Sequence, residues 1–179
     1  MIVLFLTFDL ILFGAFTRLS DSGLGCPDWP GCYGHASPIG ATQSIEAAQT
    51  AMPTGPVTWQ KAWIEMIHRY LAMLVGALIL TLAFFSWRHE RTLWGWPSLT
   101  LVWVCIQGAF GAFTVTMKLF PLIVSMHLLG GMLLLVLLTV QWVRQRHLID
   151  RTSDQALPVA VYVITCLLYT SDAADEGLG

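Results

Sequence analysis

Charge is what this sequence has least of. Of 179 residues, only 11% are Asp, Glu, Lys or Arg, against about 25% in a soluble domain. Nine basic residues against eleven acidic ones leave no cationic surplus, which excludes a nucleic-acid binder. A hydrophobic content of 56% and a mean hydropathy of +0.67 exclude a disordered chain and a coiled coil. They also make an ordinary soluble enzyme a poor fit. The N-terminal apolar run lacks the basic start and the small-residue cleavage site of a secretory signal. The four cysteines include no Cys-x-x-Cys pair, so a thioredoxin-like motif is absent.

What remains is a set of long apolar runs. A helix needs about 20 mostly apolar residues to cross the hydrocarbon core. Residues 63–87, 93–116 and 121–143 meet this, and residues 1–19 form a shorter first span that contains Asp9. Asp9 receives no role. The short first span is expected to lack some N-terminal residues. Eight Trp in so short a chain suit membrane interfaces. The expected fold is an all-α polytopic membrane protein with a four-helix transmembrane bundle and the start of a fifth helix at 156–170. Residues 171–179 are polar and acidic where apolar residues should continue, and are expected to be a non-native tail. Without Asp172, Asp175 and Glu176 the acidic count falls from eleven to eight, and a formal charge of −2 becomes +1.

Lys and Arg concentrate on cytoplasmic loops. Arg88 and Arg91 follow the second span, and Arg144, Arg146 and Arg151 fall in or near the 144–155 loop. The 20–62 loop has Lys61 alone, and the turn after the third span has Lys118. The N-terminus is therefore expected inside a bacterial plasma membrane, with the first loop outside. That loop is rich in Gly and Pro, which favour turns. Residues 41–51 are expected to form a short helix with Ile45, Ala48 and Met52 toward the membrane. Cys26 and Cys32 are expected to pair, since disulfides persist outside the cytoplasm. The pair reads either as a staple for the loop or as a redox couple. Cys105 and Cys166 read as small buried hydrophobes.

Ionisable groups inside spans are costly and usually functional. His68 lies five residues into its span and His127 six into its own. Both spans start outside, so the two imidazoles fall at nearly the same depth. That is what two axial ligands of one haem iron require. The alternative is a pair of hydrogen-bonded interhelical contacts. Glu65, one turn before His68, could accept a proton at the mouth of such a cavity or simply pair with Arg69. Arg18 and Arg69 suit haem propionates or headgroup snorkelling equally. Gly130 and Gly131 suit close approach of a flat macrocycle or of a helix. Gly108 and Gly111 read as packing. A di-iron carboxylate site is excluded because no second Glu-x-x-His exists.

Gly14-Ala-Phe-Thr-Arg-Leu-Ser-Asp-Ser-Gly-Leu-Gly25, Cys26-Pro-Asp-Trp-Pro-Gly-Cys32 and Glu65-Met-Ile-His-Arg69 resemble haem A synthase of the Cox15/CtaA family. His127 completes the pattern. The resemblance implies an eight-helix architecture in two four-helix halves, of which this chain covers the first. It implies oxidation of the C8 methyl of haem O to the formyl of haem A, for terminal oxidases. His68 and His127 would be the substrate-side pair, Glu65 the residue tied to activity, and a haem b cofactor would sit mainly in the second half. Expected partners are membrane lipid, haem O, the farnesyltransferase that makes haem O, an unidentified electron acceptor and a second copy of the chain. Two other functions share these residues: a non-catalytic bis-histidine haem or electron-transfer module, and a membrane thiol-disulfide oxidoreductase using Cys26 and Cys32.

Overall fold

The computed structural model describes residues 1–89 and 95–149. Five helices occupy them: α1 (Ile2–Leu19), α2 (Thr42–Ala51), α3 (Trp59–His89), α4 (Gly95–Thr116) and α5 (Pro121–Ile149). All but α2 are long and apolar enough to cross a membrane. The protein is thus all-α and multi-pass. The expected fifth span at 156–170, with Cys166, and the 171–179 tail lie outside the described residues.

The four spanning helices pack as a ring: α1 on α3, α3 on α4, α4 on α5, and α5 back on α1. This order places α3 and α5 on one diagonal and α1 and α4 on the other. The outward faces are apolar, as on α1, where Phe5, Phe8, Leu12 and Phe16 are exposed. Such a face needs lipid, which offers nothing to an unsatisfied polar group. At the end of the bundle away from the first loop, Val75, Ile79, Leu134 and Leu138 form a closed apolar floor, joined by Leu6, Leu10 and Trp103. At the other end the loop builds its own core from Cys26, Cys32, Ala41, Ile45, Ala62 and Met66.

Two boundaries and one helix face differ from expectation. α3 begins at Trp59 because the Thr58 hydroxyl accepts the Lys61 N–H at 3.2 Å, an N-cap that satisfies one orphan donor of the first turn. The helix therefore starts four residues before Trp63. α5 runs on past Val143 because its cations do not end it: Arg144 lies over Trp96 at 4.5 Å and Arg146 over Trp142 at 5.0 Å. α2 turns Ile45 into the loop core rather than toward lipid, and Met52 stays exposed. Cys105, expected to be buried, is exposed on the outer surface of α4, where a thiol suits hydrocarbon.

Two helix ends share one device. At α1, Ser22 N–H donates to Thr17 O at 2.9 Å and Asp21 N–H to Arg18 O at 3.1 Å, with Asp21 at φ 52°. At α4, Leu119 N–H donates to Thr114 O at 2.8 Å and Lys118 N–H to Val115 O at 3.0 Å, with Lys118 at φ 51°. Both are Schellman closures, which satisfy the last carbonyls and reverse the chain. The two turns meet: a Cβ on Gly23 would sit 3.1 Å from Leu119 Cδ2. Lys61 Nζ bonds Asp21 Oδ2 at 2.8 Å and ties the end of α1 to the start of α3. That ammonium holds the Asp21 carboxyl below its usual range. The pair's contribution is present at neutral pH and lost only as acid protonates Asp21 in the folded protein.

Candidate functional site

The first loop is fastened to α3 by a few buried contacts. Cys26 and Cys32 form a disulfide and are both fully buried. Gly25 lies so close to α3 that an added Cβ would stand 2.5 Å from the Lys61 carbonyl carbon and 2.6 Å from Ala62 N. Only glycine allows that approach. Within the disulfide ring, Asp28 accepts from Tyr33 N–H at 2.6 Å and from Gly34 N–H at 2.7 Å. Tyr70 donates its hydroxyl to Ala36 O at 2.7 Å.

Glu65 and Arg69, one turn apart on α3, complete this attachment. Glu65 is 3% exposed and Arg69 9%. One Glu65 oxygen pairs with Arg69, and Oε2 accepts the Cys26 N–H at 2.8 Å. Arg69 also donates to the carbonyls of Asp28 (2.8 Å), Pro30 (3.3 Å), Gly31 and Cys26 (3.3 Å). A planar guanidinium with five donors suits several acceptors at fixed angles. Arg18 lies apart from this cluster, exposed at the end of α1.

The disulfide closes a short ring, a sequence separation of 6, and on chain entropy contributes about 2 kcal/mol. Reduction is expected to lower stability by about that amount, read as a shift in thermal unfolding with and without reductant. Because both sulfurs are buried, reduction is also expected to be slow until the loop opens. Equal unfolding temperatures in the two states would contradict the staple role.

Beneath this cap sit the histidines. His68 on α3 and His127 on α5 come from diagonal helices and are near enough to interact electrostatically. His68 is nine residues past Trp59 and His127 six past Pro121. Counting from helix starts therefore does not match their depths, and the packing brings them together instead. Each is flanked by a glycine on a neighbouring helix. A Cβ on Gly14 of α1 would lie 3.0 Å from His68 Cε1, and one on Gly111 of α4 would lie 3.4 Å from His127 Cε1. Gly111 thus makes room for an imidazole, a role that reading it as helix packing did not assign. Phe13 stacks on His68 at 6.2 Å with an interplanar angle of 14°.

Both Nδ1 atoms are buried without a hydrogen-bond partner. Among the described residues, no three His, Cys, Asp or Glu side chains gather to hold a metal ion. Two imidazoles alone are too few for a bare structural ion. They suffice for an iron whose equatorial ligands come from a macrocycle. The residues therefore fit a haem better than a free metal.

Gly130 and Gly131 do not leave bare backbone to a ligand. Gly130 faces the amide of Gln107 and Gly131 faces Ile11 at 3.6 Å. Sequence reading passed over Gln107, although an amide in an apolar span is a signal in itself. A cavity of about 190 Å³ between α2 and the approach to α3, lined by Ala48, Met52, Gly55, Pro56 and Val57, touches none of these residues.

The family described as cytochrome oxidase assembly protein (COX15-CtaA) matches residues 1–172. A Shewanella oneidensis protein named Heme A synthase is 45% identical over 145 residues, covering 81% of this chain and 44% of its own length. Proteins of the same name from Alkalihalophilus pseudofirmus and Bartonella quintana are 26% and 32% identical, over 87% and 61% of this chain. These cover 50% and 34% of those relatives, so the chain spans half or less of the curated relatives it matches. No solved structure matches it. With a histidine pair held beneath a buried loop in a four-helix membrane bundle, and a family match over nearly its whole length, the chain belongs to the COX15-CtaA family of cytochrome oxidase assembly proteins.

Proposed function

We propose that this chain forms the first half of a haem A synthase, which oxidises the C8 methyl of haem O to the formyl of haem A through successive hydroxylations. The observation that carries the reading is that His68 and His127 lie within electrostatic reach of each other, each with a buried, unpartnered Nδ1. These two residues would bind the haem iron in this half, and a haem b cofactor would belong mainly to a second, similar half. The bound iron supplies the redox chemistry. His68 of α3 and His127 of α5 would hold the macrocycle, the apolar helices would screen it from lipid, and the first loop would cap it from water.

Glu65 takes the catalytic role in this reading. It stands one turn before His68, and its two oxygens offer more acceptor positions than Arg69 and Cys26 N–H occupy. A proton leaving the substrate's edge would be taken up at a Glu65 oxygen. Arg69 holds that carboxylate in place, and Arg18, exposed at the end of α1, is positioned for a propionate. The N-terminus would be cytoplasmic in a bacterial plasma membrane and the cap outside, with haem O delivered by the farnesyltransferase that makes it.

The test is haem A formation in cells that co-express the full-length protein and a haem O source. Glu65→Gln keeps an acceptor for Cys26 N–H and removes the base. Its haem A yield is expected to fall about 10²–10⁴-fold while haem is still bound. A variant that makes as much haem A as the parent would remove Glu65 from the mechanism. A bis-histidine spectrum with no conversion by the parent would favour the electron-transfer reading instead.

A further inference from the structure

Gln107 is a buried polar residue that neither the cap nor the histidine pair uses. Gln107 on α4 is 6% exposed, and its Oε1 is buried with no hydrogen-bond partner. A buried carbonyl oxygen left unpaired is costly and calls for a reason. Its neighbours supply one. Gly111, one turn along α4 from Gln107, faces His127. Gly130, one turn along α5 from His127, faces the Gln107 amide. Gln107 and His127 therefore adjoin across the α4–α5 interface, offset by one turn. The second orphan at this interface is His127 Nδ1.

The two orphans are complementary. An imidazole whose Nε2 holds a metal carries a proton on Nδ1 and needs an acceptor. Gln107 Oε1 is an acceptor without a donor. A buried water can serve both groups, accepting from Nδ1–H and donating to Oε1. We propose that Gln107 is a positioning residue for His127: through one bridging water its Oε1 accepts the His127 Nδ1–H, fixing the tautomer and ring angle that present Nε2 to the iron. Gln107 does not touch the reacting atoms. Trp103 steadies the same spot by donating its indole N–H to Gly130 O at 2.8 Å. Gly130 is then required as glycine because a Cβ would occupy the place of the Gln107 amide.

This rests on His127 being an axial ligand, so the experiment separates the two claims. The protein is reconstituted with haem b in detergent, and His127→Ala, Gln107→Leu and Gln107→Glu are compared by ferric electron paramagnetic resonance and by haem dissociation rate. If His127→Ala keeps the bis-histidine signal, the ligand assignment itself fails. If it loses the signal, the Gln107 variants decide the proposal. Gln107→Leu is expected to shift the low-spin g values and to weaken haem retention roughly 10–100-fold. Gln107→Glu, which keeps an acceptor, is expected to retain haem and shift the g values the opposite way. Gln141→Leu is a control for structural damage, since Gln141 is buried and accepts from Thr100 at 3.0 Å away from the histidines. It should lower stability and leave the resonance unchanged. Unchanged g values and dissociation rates in both Gln107 variants would overturn the proposal. Should Gln107→Leu fail to fold, the Gln107→Glu shift alone decides it.

Discussion

Replacing Arg69 by methionine is expected to destabilise the folded protein by about 3–5 kcal/mol, the cost of leaving a buried charge without its partner. Glu65, at 3% exposure, would keep only the backbone N–H groups of Cys26 and Gly25. The carbonyls of Asp28, Pro30, Gly31 and Cys26 would lose their shared donor in the same step. The loss should be local first: the 20–58 segment should become susceptible to protease at temperatures where the parent resists. It should also be strongly non-additive. Glu65→Leu combined with Arg69→Met removes both charges, and is expected to be more stable than Arg69→Met alone. An Arg69→Met protein that unfolds and is cleaved like the parent would show that the ion pair does not hold the cap. The contrast is Lys61 with Asp21, where the Asp21 side chain is 73% exposed. Lys61→Met should cost little, because exposed pairs contribute about 0–1 kcal/mol.

The second large effect concerns the histidines. His68→Leu and His127→Leu are each expected to abolish the bis-histidine absorption spectrum of the haem-reconstituted protein, not merely weaken it. An axial pair fails when either member is lost, since no third histidine, cysteine or carboxylate gathers with them among the described residues. The fold should survive, because leucine satisfies an apolar position and removes an orphaned Nδ1. Unfolding temperatures close to the parent's, together with full loss of the spectrum, are the expected combination. Retention of the spectrum by either variant would require a different ligand.

The four spans and the cysteine pair were legible in the sequence, and the proposed trio Glu65, His68 and His127 stood out there, for one reason. Polar groups are scarce there, and each survivor in an apolar run is conspicuous. Thr58 was less legible, since an N-cap is separated from any other threonine only by where the helix starts. For Arg69, the pairing with Glu65 was offered by their spacing, but its hold on the loop could not be read. Its acceptors are backbone carbonyls of residues 26–31, about forty positions away, and carbonyls carry no sequence signature. The same holds for Gly111 and Gly130, whose need for an absent side chain depends on which neighbour faces them. Gln107 was visible but unread. Its meaning lies in the pairing of α4 with α5, where Trp103 bonds Gly130 O.

The ring order of the helices has a consequence for how ligand spacing is set. α3 and α5 carry the imidazoles and touch at the floor, where Val75 and Ile79 pack with Leu134 and Leu138. Above that floor α1 and α4 close the ring between them and act as the jaws of a calliper. The gap between the two ring nitrogens is then governed by residues that bear no ligand, chiefly Gly14 and Gly111 at the jaw tips. A lineage could therefore retune the spacing of the two imidazoles by changing bulk at those tips, with both histidines untouched.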